Sequence, residues 1–120
     1  MNKTDRYSHI ISTFILYFVA ENGQAASGCS IIPIIDQERH HYQALMLGYN
    51  EEQYRFSFMV LFHFDIIQDQ IWVQANNSDW DFTDELVEKG VELEDLVVGW
   101  LPENARVYAD LMNEQAEAKT

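Results

Sequence analysis

A histidine and an aspartate separated by one residue are the first candidates for chemistry in this chain. His63 and Asp65 end the stretch Tyr54–Asp65, whose alternating pattern is typical of a β-strand, so both side chains are expected on one face. Arg55 occupies an odd position of the same stretch and is expected on that face too. Such a set could bind a metal ion or transfer protons. Because no third ligand follows at a recognisable spacing, the pattern favours a structural hydrogen-bonded pair.

The other reactive side chains add no catalytic motif. His40 and His41 are neighbours in a predicted strand, so their side chains point to opposite faces and are not expected to chelate one ion. Cys29 is the single cysteine, which excludes an internal disulfide and fits a buried thiol. The sequence has no Gly-x-Ser-x-Gly elbow, phosphate-binding glycine loop or His-Glu-x-x-His pair. We therefore predict that the protein is not an enzyme and has no catalytic residue, cofactor or metal ion.

Acidic residues dominate the last third of the chain. The formal net charge is -13, with 12 acidic against 3 basic residues after Ser78 and 8 against 4 before it. Since proteins bind DNA mainly through Lys and Arg, this charge argues against direct contact with nucleic acid or an anionic membrane. The acids form either a solvated helix face or a docking surface for a basic protein. The residues predicted to contact such a partner are Asp81, Asp84, Glu85, Glu88, Glu94 and Asp95, with Trp80 and Trp100 near the edges.

One α+β domain spanning residues 1–120 is predicted to position these side chains. A chain of 120 residues with 48% apolar side chains suffices for one core and leaves no room for two. Apolar residues from Tyr7 to Val19 recur every three or four positions, which predicts an N-terminal helix. A period of two then predicts an antiparallel meander of about four strands. These strands are Ser30–Ile35, His40–Leu47, Tyr54–Asp65, in which the even positions form one apolar face, and Ile71–Gln74.

Two C-terminal helices with a short strand between them complete the predicted fold. Asp79 can cap the first helix, and Gly90 suits the left-handed residue that ends it. Phe82, Leu86 and Val87 are expected to face inward from that helix. Leu96–Val98 forms the short strand, and Pro102 fits the first turn of the last helix.

The apolar run Ile10–Ala20 follows Lys3 and Arg6, as in a signal peptide. However, the run keeps a helical period, contains Ser12 and Thr13, and is too short to span a bilayer. We therefore interpret it as a core helix and expect a cytoplasmic protein.

Several short motifs, in their order and spacing, resemble the XisI family, which is named for controlling excision of the fdxN element in filamentous cyanobacteria. The resemblance covers nearly the whole chain. The motifs are Tyr7-x-x-Ile10-Ile11, Tyr42, Gly48, Arg55, the stretch Leu61–Ile66, Ile71-Trp72-Val73-Gln74, Asp84-Glu85-Leu86-Val87-Glu88-Lys89-Gly90-Val91, Glu94-Asp95-Leu96-Val97-Val98-Gly99-Trp100, Pro102 and Arg106.

The resemblance implies a regulatory role. Family members are regarded as controlling factors needed alongside a site-specific recombinase and a companion protein, XisH, which resembles nucleases, and the resemblance carries over no catalytic residue. We therefore expect a non-enzymatic protein that binds an XisH-like companion in the control of DNA element excision. The alternatives are a small metal-dependent or acid–base enzyme centred on Arg55, His63 and Asp65, and a direct DNA-binding excisionase. A homo-oligomer is a further open alternative.

Overall fold

The computed structural model of the chain describes residues 1–23 and 28–107. The helices are α1 (Lys3–Asn22) and α2 (Thr83–Glu88), and the strands are β1 (Cys29–Asp36), β2 (His41–Asn50), β3 (Arg55–Ile67), β4 (Gln70–Asn76) and β5 (Leu96–Val98). Single 3-10 turns lie at Leu93–Asp95 and Glu103–Ala105. Within these ranges, no helix combines the length and the apolar character needed to cross a membrane.

The strands form one five-stranded sheet in the order β1-β2-β3-β4-β5. The first four strands pair antiparallel with their sequence neighbours, which confirms the predicted meander. The fifth strand pairs parallel with β4, joining Ile71 to Leu96 and Val73 to Val98. The sheet is therefore mixed and has five strands, whereas the prediction gave an antiparallel meander of about four strands and did not place the short strand in the sheet. The physical reason is the connection through α2, since a crossover returns the chain to the sheet in the direction of β4.

The core lies between α1 and one face of the sheet. The residues of α1 that are at most 1% exposed are Tyr7, Ile11, Phe14 and Ile15. Aromatic rings dominate the contact. The Phe64 ring lies 6.2 Å from Phe14 and 4.9 Å from Phe82, edge-on in both cases, which is a favoured geometry for aromatic pairs. This packing holds α1 and the start of α2 against β3.

One extra residue in β3 divides the apolar side chains of that strand between the two faces. Ala44 lies opposite Phe62, but the next residue of β2, Leu45, lies opposite Val60, so Leu61 is left over in the register. A β-bulge of this kind shifts the inward–outward alternation by one residue. Phe64 is fully buried, whereas Phe58 is 68% exposed. The prediction that the even positions from Tyr54 to Phe64 form one face is therefore wrong.

The predicted helix after β4 is present as α2. Asp81, rather than Asp79, accepts a hydrogen bond from the Thr83 N–H at 3.1 Å before the first turn. At the other end, the Gly90 and Val91 N–H groups donate to the carbonyl oxygens of Val87 and Leu86, both at 3.0 Å. Gly90 has a φ of 115°, so this is the predicted glycine-terminated Schellman ending. Contrary to expectation, the side chain of Val87 is 39% exposed.

The predicted last helix is not present in the described part of its range. After Pro102 the chain makes only the 3-10 turn Glu103–Ala105, and Val107 then forms an antiparallel bridge with Val97 beside β5. The rest of that prediction falls on residues 108–120, outside the described residues.

Candidate functional site

The sheet face opposite α1 carries one candidate site. Residues directly opposite each other on antiparallel strands share a face, and the register pairs His41 with Asp65, Gln43 with His63, and Leu45 with Val60. One end of this face is therefore polar and the other apolar. The large apolar side chains of this face that are more than one third exposed include Ile32, Ile34, Phe56 and Phe58.

Five side chains from three strands meet at the polar end. His41 Nδ1 and His63 Nε2 each lie 2.7 Å from Asp65 Oδ1. Gln43 Oε1 lies 2.9 Å from His63 Nδ1, and Gln74 Nε2 donates to Asp65 Oδ2 at 3.2 Å. We call these five residues the His–Asp cluster. The side-chain exposure falls from 55% for His41 to 24% for His63 and 17% for Asp65, so the cluster opens to solvent on the side of His41.

The contacts of Asp65 favour its ionised form. Burial alone raises the pKa of the Asp65 carboxyl, but the hydrogen bonds with His41, His63 and Gln74 outweigh burial and hold that pKa below the ordinary value of 3.8. A carboxylate held in this way can orient an imidazole or bind a cation.

The structure confirms one part of the predicted constellation and corrects the rest. His63 and Asp65 do form the predicted hydrogen-bonded pair. Arg55 does not belong to the site. It lies eight residues before His63 along β3, which is roughly 25 Å at the usual rise per residue, and the bulge at Leu61 lies between the two residues. Its Nε instead donates to Gln53 Oε1 at 3.1 Å. Sequence reasoning missed His41, which joins the cluster from the neighbouring strand.

The predicted partner-contacting acids do not form one continuous free surface. Asp95 accepts a hydrogen bond of 2.5 Å from the Tyr7 hydroxyl and lies 3.0 Å from Lys3 Nζ, so it helps to attach α1 to the turn before β5. Glu85 pairs with Lys89 at 3.3 Å. The predicted acids that lie exposed on and around α2 are Asp81, Asp84, Glu88 and Glu94.

The two tryptophans of the predicted interface come together. Trp80 and Trp100 are 45% and 54% exposed, and both line one open cavity of about 320 Å³. Asp79, Asp81 and Phe82 contribute to its wall. We call this site the tryptophan hollow. Half-exposed indole rings and carboxylates thus line the same cavity, although the tryptophans are twenty residues apart in the sequence.

The α+β fold, with its helix against a mixed sheet, agrees with comparisons with known proteins. The family model described as XisI protein matches residues 1–112, and the chain belongs to the XisI family. The crystal structure of a XisI-like protein from Anabaena variabilis ATCC 29413 is similar with a TM-score of 0.77 and 28% identity, covering 89% of this chain and 95% of that chain.

A second solved structure shares the fold. The fdxN element excision controlling factor XisI from Anabaena variabilis ATCC 29413 has a TM-score of 0.71 and 20% identity, covering 88% of this chain and 93% of that chain. Among curated proteins, no sequence is significantly similar to the chain.

Proposed function

We propose that this chain takes part in the control of DNA element excision by binding a basic, XisH-like companion protein, and that it catalyses no reaction itself. Membership of the XisI family and the name of the second Anabaena structure support the regulatory role. The tryptophan hollow is the observation that supports binding to a protein, because exposed tryptophans are enriched among the residues that dominate protein interfaces.

An arginine or lysine side chain of the companion matches the chemistry of this hollow. A cation over an indole ring gains about 0.5 to 2 kcal/mol, depending on how far it is desolvated. Asp79 and Asp81 in the wall of the hollow add Coulomb attraction for the same group. At longer range, the net charge of -13 attracts a basic protein and repels phosphates. A companion that handles DNA would present such a basic face, and this chain would cover it.

The test is a pull-down of an XisH-like protein from the native host with the purified chain, at low and at high ionic strength. Trp100→Ala should weaken binding by about 10-fold or more, as expected for an interface anchor. The double variant Asp84→Lys/Glu88→Lys should weaken binding most at low ionic strength. Glu38→Lys is the matched control, because its side chain is 85% exposed on the turn between β1 and β2, which contains none of the predicted contact residues.

Two results would contradict the proposal. The first is tight binding that is insensitive to salt and survives both sets of changes. The second is retention of duplex DNA by the isolated chain at physiological ionic strength, which would favour the DNA-binding alternative.

A further inference from the structure

Both ring nitrogens of His63 in the His–Asp cluster face oxygen atoms. His63 Nδ1 faces Gln43 Oε1 at 2.9 Å, and His63 Nε2 faces Asp65 Oδ1 at 2.7 Å. Both oxygens are acceptors, whereas a neutral imidazole has only one N–H. When Nδ1 donates to Gln43, the lone pair of Nε2 points at a carboxylate oxygen. A positive charge between Nε2 and that oxygen removes the conflict.

A second imidazole points to the same place. His41 Nδ1 also lies 2.7 Å from Asp65 Oδ1, and the ligand atoms of His41, His63 and Asp65 all lie within 4.8 Å of one another. Two imidazole nitrogens and one carboxylate are a donor set that first-row transition metals prefer. A tetrahedral Zn²⁺ ion with bonds of about 2.1 Å separates its ligands by about 3.4 Å, so the short contacts need to open by only about 0.7 Å.

Two glutamine side chains form outer hydrogen bonds to these ligands, as is usual around metal sites. The Nδ1–H of His63 can donate to Gln43, which fixes the ring orientation and leaves Nε2 free for a metal. Gln74 Nε2 holds the other carboxylate oxygen of Asp65 at 3.2 Å. Outer hydrogen bonds of this kind orient metal ligands and raise their affinity. The geometry points to a binding site for one divalent transition-metal ion, with Zn²⁺ as the best match, held by His41 Nδ1, His63 Nε2 and Asp65 Oδ1.

The site leaves one coordination position open. Three protein ligands do not complete the tetrahedral shell of Zn²⁺, and the 55% exposure of His41 gives solvent access, so a water molecule takes the fourth position. This site is separate from the tryptophan hollow, with which it shares no residue, and it does not depend on the proposed function.

The test uses the full chain without a histidine tag, stripped with a chelator and titrated with ZnCl₂ in a calorimeter. One ion per chain is expected. His41→Ala and His63→Ala should each weaken binding by more than about 10-fold, and Gln43→Leu, which removes only the outer hydrogen bond, by about 10- to 100-fold. His9→Ala is the matched control, because it removes an exposed histidine of α1 and should leave the affinity unchanged.

CoCl₂ gives an independent readout, since tetrahedral Co²⁺ with nitrogen and oxygen ligands has visible absorption bands that aqueous Co²⁺ lacks. His41→Ala, at an exposed position, should retain the fold even if His63→Ala does not, and circular dichroism checks this. Absence of saturable Zn²⁺ binding, or binding that survives both histidine changes, would overturn the inference.

Discussion

Separate replacement of two phenylalanines in β3 tests the bulge on which the two faces of the sheet depend. Phe58 and Phe64 both occupy even positions of the strand, and simple alternation puts their side chains on one face. In the structure the extra residue Leu61 lies between them and sends them to opposite faces. We expect Phe64→Ala to be strongly destabilising and Phe58→Ala to be nearly neutral.

The magnitudes follow from burial. Phe64 is fully buried, and its ring lies 4.9 Å from Phe82 and 5.4 Å from Phe62. Truncation of such a ring to alanine lowers the free energy of unfolding by about 3 to 5 kcal/mol, from lost transfer energy and the cavity that remains. Phe58 is 68% exposed, so its truncation should change the free energy of unfolding by no more than about 0.5 kcal/mol.

Equilibrium unfolding in urea, followed by circular dichroism and by tryptophan fluorescence, measures both effects. With a denaturant slope of about 1.5 kcal/mol/M, the midpoint should fall by about 2 to 3 M for Phe64→Ala and by about 0.3 M or less for Phe58→Ala. If Phe64→Ala does not fold, Phe64→Leu should give an intermediate loss. Equal losses at the two positions, or a larger loss at Phe58, would refute the bulge and with it the assignment of residues to faces.

Two further predictions concern polar groups that are buried or largely buried, those of Tyr7 and Asp65. Tyr7→Phe removes a donor to Asp95 and an acceptor for the Glu92 N–H and should lower the free energy of unfolding by about 1 to 3 kcal/mol in urea. Tyr17→Phe, at a residue that is 58% exposed, is the control and should be nearly neutral. Because the folded-state pKa of Asp65 lies below 3.8, its ionised form stabilises the fold above that pH, and the stabilisation is lost as the pH falls through the folded-state value. The difference in unfolding free energy between the wild type and Asp65→Asn should therefore shrink in acid, and a difference that is independent of pH would contradict this.

The parts of the fold that could be predicted are those encoded by local periodicity. The apolar residues of α1 and the alternation in β1 to β4 each mark an element within one stretch of sequence. The pairing of β5 could not be predicted in this way, since a three-residue strand contains too little pattern to specify its neighbour or direction. The bulge at Leu61 escaped prediction because an extra leucine in an apolar strand resembles an ordinary strand residue.

In the candidate sites, too, contacts within one strand could be predicted, whereas contacts between distant parts of the chain could not. His63 and Asp65 could be paired from sequence because residues two apart share a face. His41 could not, because its contact with Asp65 depends on the register between β2 and β3. The prediction that His40 and His41 both lie in one strand was wrong for His40. His40 lies in the turn before β2 with a φ of 62°, and its Nδ1 lies 2.8 Å from the Tyr42 hydroxyl. The meeting of Trp80 with Trp100 depends on loop conformations that carry no periodic signal.

Two of the three strands that carry the His–Asp cluster, β3 and β4, contain an extra residue near it. In β4 the register moves from Val73 opposite Phe64 to Ala75 opposite His63, so Gln74 is an extra residue there, and its side chain reaches Asp65. In β3 the buried rings of Phe62 and Phe64 lie after the extra Leu61, whereas Phe56 and Phe58, which precede it in the sequence, are exposed on the other face. Bulges commonly re-aim side chains near functional sites. Without the extra residue at Leu61, simple alternation would place Phe58 on the helix-facing side with Phe62 and Phe64, so the exposed apolar end of the open face depends on this bulge.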